Sequence, residues 1–353
     1  MICCEIKLDN DPPGIFYSGQ VLKGHVELRL HRAHEIDSFM LIVAGIVQVE
    51  FLSNRYVKKT KDVLRSTAAL IKQNQTKATT VSSGTYIYNF STVLPQNLPA
   101  SMSSEFGKIL YCVTAELRRP WKQKLSYSTL FHVARIYDPI NIPFALQQPV
   151  RSQKTVTICC FPCSSGPLPV TISILKTGYV AGETIQLAVS LDNNTNFKID
   201  TVDASIEQKS FFYSSFLEDF RRTTVVVNRA YERVDGTHYT QQIDIPQVYP
   251  SFSSKIMVIA YRLKVLVELN VCEQIVYFKI PIIIWAGDPW PSSYRPNQSV
   301  DSGLRVVLPL QATEDSATAI AESLENDERD PPDYAAAMTT NVVNIGFITK
   351  VRD

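Results

Sequence analysis

GETIQLAVSLDNNTNFKID, residues 182–200, repeats the pattern of GQVLKGHVELRLHRAHEID, residues 19–37. In both stretches a glycine precedes a segment of alternating apolar residues, and a polar turn then leads to Ile-Asp at the start of the next segment. Each glycine is predicted to supply a turn or bulge conformation that other residues adopt only at a cost. At an offset of 163 residues and without gaps, the matching pairs are Gly19 and Gly182, Leu28 and Leu191, Ile36 and Ile199, and Asp37 and Asp200.

The same alternation of apolar and polar residues continues outside the repeat. KILYCVTAEL, residues 108–117, and AYRLKVLVEL, residues 260–269, are typical of half-buried antiparallel strands. Helical periodicity is almost absent, and DVLRSTAALIKQ, residues 62–73, is predicted to be a short helix or an irregular basic loop. Together with the repeat, these patterns predict an all-β protein of two tandem β-sandwiches, each with its core between two sheets.

Length and charge agree with two domains and a separate tail. The chain has 353 residues, 45% of them hydrophobic, which suits two domains of about 150 residues each. The formal net charge is +1, but residues 286–353 hold 11 acidic and 5 basic residues, so the rest of the chain carries +7. A basic body with an acidic tail predicts an anionic partner for the body, or attraction between tail and body.

The sequence divides into four segments. We predict a first sandwich at residues 1–147, a linker with a cysteine cluster at 148–164, a second sandwich at 165–285, and an acidic, flexible and mostly disordered tail at 286–353. No leader-like or membrane-spanning apolar run is seen, so an intracellular, soluble protein is expected. Seven cysteines, an odd number, favour reduced thiols over a disulfide framework.

Four stretches resemble, in order, the landmarks of arrestin-domain-containing proteins, the α-arrestins. The third is the most specific, with its Cys-Cys-x-x-Cys-x-x-Gly-Pro and Lys-Thr-Gly-Tyr-Val-x-Gly-Glu patterns. The resemblance implies an arrestin N domain and C domain, each an immunoglobulin-like β-sandwich, and an adaptor that brings HECT-type ubiquitin ligases to membrane cargo. The stretches are YSGQVLKGHVELRL (17–30), FGKILYCVTAELRRPW (106–121), CCFPCSSGPLPVTISILKTGYVAGETI (159–185) and SSKIMVIAYRLKVLVEL (253–269).

The tail contains the tetrad PPDY, formed by Pro331, Pro332, Asp333 and Tyr334. Its prolines favour the polyproline II conformation, so little backbone entropy is lost on docking, and the tyrosine returns to the same side of the segment for a second pocket. The resemblance implies that this tetrad binds a WW domain; a simple turn is the alternative. A single copy, with Asp330 before it and alanines after it, predicts modest affinity because the avidity of paired motifs is missing.

Two groups of basic residues are candidate contacts for acidic or phosphorylated cargo tails and for acidic lipid headgroups. A solvated loop or strand end is the alternative for both. No nucleic-acid-binding motif accompanies them, so a nucleic-acid partner is not expected. The first group is Arg55, Lys58, Lys59, Lys61 and Arg65, and the second is Arg118, Arg119, Lys122 and Lys124.

The cysteine cluster Cys159, Cys160 and Cys163 allows three interpretations. Tetrahedral zinc needs four ligands, and no second Cys or His pair completes the set, so no metal is expected. Palmitoylation of exposed thiols is a second interpretation, which applies equally to Cys3-Cys4. Packed thiols at the junction of the two domains are the third.

VVNIGFI, residues 342–348, is an apolar, β-prone segment near the end of the tail. We predict that it adds as a strand to an edge of the first sandwich, as a tail strand does in the visual and β-arrestins, or else stays disordered. Such docking would limit access to PPDY. The residues that would make this contact are Val342, Val343, Ile345, Phe347 and Ile348.

Motifs for catalysis are absent from the sequence, and neither an enzyme nor a cofactor is expected. A cysteine nucleophile would require Cys112, Cys160 or Cys163 to lie beside a histidine. The leading hypothesis is an adaptor at the plasma membrane and endosomes that promotes ubiquitination, endocytosis and sorting of receptors or transporters. The alternative is an arrestin-fold scaffold that binds receptor tails, coat or retromer components without a ligase.

Overall fold

The computed structural model shows two compact β units. It describes residues 1–10, 14–53, 55–72, 78–135, 143–156, 159–160, 163–164, 167–192, 197–214, 220–270, 274–285 and 346–351. One unit contains residues 1–135 and 346–351, and the other contains residues 143–285. The prediction of an all-β fold with two β-sandwich halves is confirmed. The predicted boundaries of the four segments stay predictions.

The first unit pairs two antiparallel sheets. One sheet has the strand order β1-β3-β8-β24, and the other has the order β2-β11-β10-β5-β6, in which only the short β2 runs parallel to its neighbour. The strands of this unit are β1 Ile2–Leu8, β2 Ile15–Tyr17, β3 Val21–Leu30, β4 His34–Ile36, β5 Ser38–Leu52, β6 Tyr56–Ile71, β7 Thr79–Val81, β8 Gly84–Val93, β9 Met102–Ser103, β10 Gly107–Arg118, β11 Leu125–Ala134 and β24 Gly346–Val351.

The second unit also contains two sheets, and the larger of them has the same strand connectivity as the larger sheet of the first unit. Its sheets have the orders β12-β15-β17-β20 and β16-β23-β22-β18-β19, and a short 3₁₀ helix, Phe144–Gln147, precedes them. The strands are β12 Val150–Val156, β13 Cys159–Cys160, β14 Cys163–Ser164, β15 Leu168–Ile174, β16 Gly178–Val180, β17 Thr184–Leu191, β18 Ile199–Tyr213, β19 Phe220–Gly236, β20 His238–Asp244, β21 Phe252–Ser253, β22 Met257–Leu269 and β23 Ile275–Trp285.

The alternation of apolar and polar residues along each strand decides which side chains form the two cores. In β10, Ile109, Tyr111, Val113, Ala115 and Leu117 are buried, as the sequence predicts. The matching positions of β22 are buried in the second unit, together with alternate residues of β3 and β17. Because successive side chains of a strand point to opposite faces, one face of each sheet supplies the core between the two sheets.

Both repeat glycines make the same turn. Gly19 has φ 84° and Gly182 has φ 95°, values in the left-handed region that glycine adopts without strain. The side chain of the residue after each glycine accepts a hydrogen bond from the backbone amide three residues earlier. Tyr17 N donates to Gln20 Oε1 at 2.8 Å, and Val180 N donates to Glu183 Oε2 at 3.0 Å. The predicted role of the two glycines is confirmed.

A second repeat, which sequence analysis missed, lies at an offset of 150 residues. PASMSSEFGKILY, residues 99–111, matches YPSFSSKIMVIAY, residues 249–261. The Ser104 hydroxyl donates to the Gly107 carbonyl at 2.9 Å, and the Ser254 hydroxyl donates to the Met257 carbonyl at 3.0 Å. The change of offset from 163 to 150 hides this match from an alignment without gaps.

The prediction for residues 62–73 is wrong, because β6 runs through residues 56–71 as a strand. A register shift between Gly45 and Ile46 of β5 places an extra residue in β6 at this point. Val63 and Leu64 are consequently buried side by side, which breaks the period of two. The bulge therefore explains why the sequence pattern did not indicate a strand.

Candidate partner-binding surfaces

The tail strand lies at an edge of the first unit. β24 pairs antiparallel with β8, in a register that sets Phe347 opposite Phe90 and Thr349 opposite Tyr88. The prediction of edge addition to the first sandwich, made for residues 342–348, is confirmed for residues 346–348, and the strand continues to Val351. Val342, Val343 and Ile345 lie outside the described residues, as does the tetrad Pro331 to Tyr334.

The first basic group lies along β6 and the turn before it. Lys58 Nζ is 3.5 Å from Glu50 Oε2 on β5, and the Tyr56 hydroxyl donates to the other oxygen of Glu50. Burial lowers the pKa of Lys59, and Arg55 is exposed. Much of the positive charge predicted here is therefore balanced by Glu50 or partly withdrawn from solvent.

The second basic group surrounds the hairpin between β10 and β11. Lys124 Nζ is 2.6 Å from Glu116 Oε1, whereas Arg118, Arg119 and Lys122 have no carboxylate partner within the part of the chain that the structure describes. Nearby, burial lowers the pKa of His34, and the charges of Arg32, Arg119 and Lys122 lower it further. These cations therefore lie close together at one end of the unit.

The structure does not bring the two basic groups together. Arg118 is opposite Ser38 at the start of β5, and Lys58 is opposite Glu50 near its end. These positions are twelve residues apart, or ~40 Å along an extended strand. Arg118 and Lys58 therefore do not contact the same small anion, whereas Arg65 is opposite Ala44, six residues from the position of Arg118.

Trp121, the last residue of the stretch 106–121, has a setting that the sequence did not indicate. It lies at the tip of the β10–β11 hairpin with a relative exposure of 104% and φ 55°. Among the described residues it is the one non-glycine residue with positive φ. Pro120 before it was the available signal for a turn, but exposure of the ring could not be predicted from the sequence.

Asp62 is a second feature that the sequence did not reveal. Its side chain is 1% exposed on β6, and neither carboxylate oxygen accepts a hydrogen bond within the described structure. Arg65 Nη1 is 3.8 Å from Asp62 Oδ2. Burial raises the pKa of Asp62 to about 6, and the charge of Arg65 opposes this shift only in part.

The six cysteines among the described residues lie in three different settings. Cys159–Cys160 and Cys163–Ser164 form a two-stranded ladder in which Cys160 is opposite Cys163. Cys3 and Cys4 are half-buried on β1, and burial raises the pKa of Cys4 to about 12. Cys112 is buried and its pKa is raised for the same reason, which makes its thiol a poor nucleophile.

Neither a metal-binding cluster nor a membrane-spanning helix occurs among the described residues. Groups of three or more His, Cys, Asp or Glu side chains that could hold a metal ion do not occur among these residues. Within the same part of the chain, no helix has the length and apolar character to cross a membrane.

Comparisons with known proteins agree with the two units. Residues 4–139 match the family model "Arrestin (or S-antigen), N-terminal domain", and residues 164–288 match "Arrestin (or S-antigen), C-terminal domain". The chain belongs to the arrestin family. Its relatives place it among the arrestin-domain-containing proteins, the α-arrestins. Arrestins are non-enzymatic, so this member is not an enzyme.

The relatives are distant but extend over most of the chain. Arrestin domain-containing protein 17 of Caenorhabditis elegans is 26% identical over 335 residues, covering 88% of this α-arrestin and 76% of the relative. Thioredoxin-interacting protein of Rattus norvegicus is 22% identical over 292 residues, covering 78% and 72%. The human thioredoxin-interacting protein is 21% identical over 292 residues, with the same coverage.

Proposed function

We propose that this α-arrestin is an adaptor that recruits a WW-domain ubiquitin ligase of the HECT type to membrane-protein cargo. The observation that carries the proposal is the tetrad Pro331-Pro332-Asp333-Tyr334, which follows two arrestin units in a segment with many acidic residues. Two prolines and a tyrosine at this spacing match an aromatic-lined groove and its neighbouring pocket. The proposed outcome for the cargo is ubiquitination, endocytosis and sorting.

In this proposal the arrestin units contact the cargo. Arg118, Arg119 and Lys122 are the better candidates for an acidic cargo tail or lipid headgroup, because carboxylates do not neutralise them within the described structure. Arg55, Lys58 and Lys59 are weaker candidates for the same role. Cys159, Cys160 and Cys163 remain proposed palmitoylation sites, which would hold the protein at the plasma membrane and endosomes.

The test is capture of the full chain by an array of isolated WW domains. Wild type should bind, Tyr334→Ala should lose binding, and Asp333→Ala should retain it because the spacer faces away from the groove. Weak, single-site binding is expected from one copy of the motif. If the wild type binds no WW domain, the ligase mechanism is rejected and a scaffold that binds cargo directly becomes the better account.

A second experiment places the interaction in cells. Co-precipitation of wild type and Tyr334→Ala should show HECT ligases with the wild type only, and membrane proteins with both. Loss of both classes from the variant would mean that Tyr334 does not act as a ligase contact alone.

A further inference from the structure

The tip of the β10–β11 hairpin holds a tryptophan where the backbone favours glycine. The Lys122 amide donates to the Arg119 carbonyl at 3.3 Å, which closes a four-residue turn with Pro120 second and Trp121 third. A proline at the second position and a residue with positive φ at the third position are features of a type II turn. The third position of such a turn usually holds glycine or asparagine. Trp121, with φ 55°, therefore adopts its backbone conformation at an energetic cost.

The ring of Trp121 contributes nothing to the core of its unit. Its relative exposure is 104%, the highest among the exposed large hydrophobic residues of the described structure. A side chain that is both strained and fully solvated does not stabilise the folded unit. A backbone outlier that packing of its own side chain does not stabilise points to a functional contact made outside the unit.

The charged residues around Trp121 indicate which kind of partner it contacts. Arg118, Arg119 and Lys122 lie within three residues of the ring and lack carboxylate partners in the described structure, and Arg32 lies at the same end of the unit. Lys124 is paired with Glu116, and Asp37 lies next to Arg118, whose carbonyl accepts a hydrogen bond from the Asp37 amide at 2.9 Å. An indole that projects beyond several cations fits the boundary between lipid headgroups and acyl chains, with the cations at anionic headgroups.

We propose that the β10–β11 hairpin is a membrane-docking element, with Trp121 entering the interfacial layer of an anionic bilayer and Arg118, Arg119 and Lys122 contacting its headgroups. The narrow tip favours a lipid surface over a protein groove, because one protruding ring offers a protein partner little area to bury. This proposal does not depend on ligase recruitment. Vesicle binding and WW binding are measured separately, so either can fail alone.

Fluorescence tests the insertion directly. The chain has three tryptophans, so in a Trp285→Phe, Trp290→Phe background the emission reports Trp121 alone. Vesicles of phosphatidylcholine with phosphatidylserine should shift this emission to the blue, and lipids brominated along the acyl chain should quench it. Vesicles of phosphatidylcholine alone should produce neither effect. Unchanged emission while the protein co-sediments with the anionic vesicles would overturn the proposal.

Co-sedimentation of the full chain with the same anionic vesicles tests the energetics. Trp121→Ala should weaken binding about tenfold through lost apolar burial, and Lys122→Gln should weaken it about fivefold through one lost cation. Leu52→Ala is the matched control, since Leu52 is 71% exposed on the β5–β6 hairpin, which also has basic residues beside it. Equal losses for Trp121→Ala and Leu52→Ala would reject a specific docking tip.

A protein partner would give a different result. If Trp121→Ala abolishes co-precipitation of cargo but leaves vesicle binding unchanged, the tip is a protein contact and the membrane proposal is wrong. Thermal unfolding of each variant accompanies these measurements, and an unchanged midpoint shows that the loss comes from the surface and not from the fold.

Discussion

Tyr111 and Tyr261 make the same hydrogen bond in the two units. The Tyr111 hydroxyl donates to the Pro99 carbonyl at 2.7 Å, and the Tyr261 hydroxyl donates to the Tyr249 carbonyl at 2.6 Å, in both cases twelve residues back along the chain. The two side chains are 1% and 0% exposed. Each therefore anchors the segment that precedes a central strand, and burial raises the pKa of both phenols.

We expect Tyr111→Phe and Tyr261→Phe each to lower the free energy of unfolding by about 1–2 kcal/mol, because a half-buried carbonyl loses its donor while the packing is kept. Urea unfolding followed by fluorescence measures this. Tyr277→Phe is the control, since Tyr277 is 48% exposed and should change stability by less than about 0.5 kcal/mol. Equal effects of all three substitutions would contradict the anchoring role.

Asp62 makes the stability of the first unit depend on pH. Its folded-state pKa of about 6 lies above the ordinary value of 3.8, so the folded unit binds this proton more tightly than the unfolded chain. The resulting stabilisation is complete below about pH 4 and is lost as the pH rises through about 6. Asp62→Asn should therefore stabilise the unit at pH 7.5, by about 1–3 kcal/mol, and the gain should disappear near pH 4.

Unfolding curves of wild type and Asp62→Asn across this pH range provide the measurement. Asp235→Asn is the control, because the Asp235 side chain is 83% exposed and its effect should change little with pH. A constant difference between wild type and Asp62→Asn from pH 4 to 7.5 would show that Asp62 does not titrate as described.

β24 shields the outer edge of β8, and its removal should expose that edge. Deletion of residues 339–353 should speed amide hydrogen exchange in residues 84–93 and, if the docked strand limits access to PPDY, increase WW-domain binding. The double variant Phe347→Pro/Ile348→Pro, which keeps the full length of the chain, is matched to this deletion and should have the same effects. Because successive amides of a strand point to opposite edges, one of the two prolines must remove a hydrogen bond of the ladder.

Unchanged exchange in β8 after both changes would reject the strand addition. Faster exchange with unchanged WW binding would retain the added strand but remove its regulatory role.

Trp121→Gly should leave the first unit as stable as the wild type, within about 1 kcal/mol. Glycine relieves the strain of a positive φ at this turn position, and this gain offsets its greater freedom in the unfolded chain. Phe131→Ala on β11 shows that the unfolding assay is sensitive, since loss of a buried ring should cost about 3–5 kcal/mol. A large loss for Trp121→Gly would mean that the ring supports the fold.

Some features could be predicted from residues alone, and others could not. Gly19 and Gly182 indicated duplicated turns because a positive φ is a local requirement that glycine meets at low cost. The alternation in β10 and β22 indicated strands with one buried face. The bulge opposite Ile46 was missed, because an extra residue in β6 breaks the alternation on which the interpretation depended.

The amino-acid sequence by itself determined the two β units, their turn glycines and the presence of one PPDY tetrad, because these follow from local periodicity and residue type. Only the tertiary structure decided that Arg118 and Lys58 lie at opposite ends of β5, that Asp62 is buried, and that Trp121 projects into solvent. These properties depend on strand register and on which sheet lies above a residue. Both are set by contacts between residues far apart in the chain, which local patterns do not record.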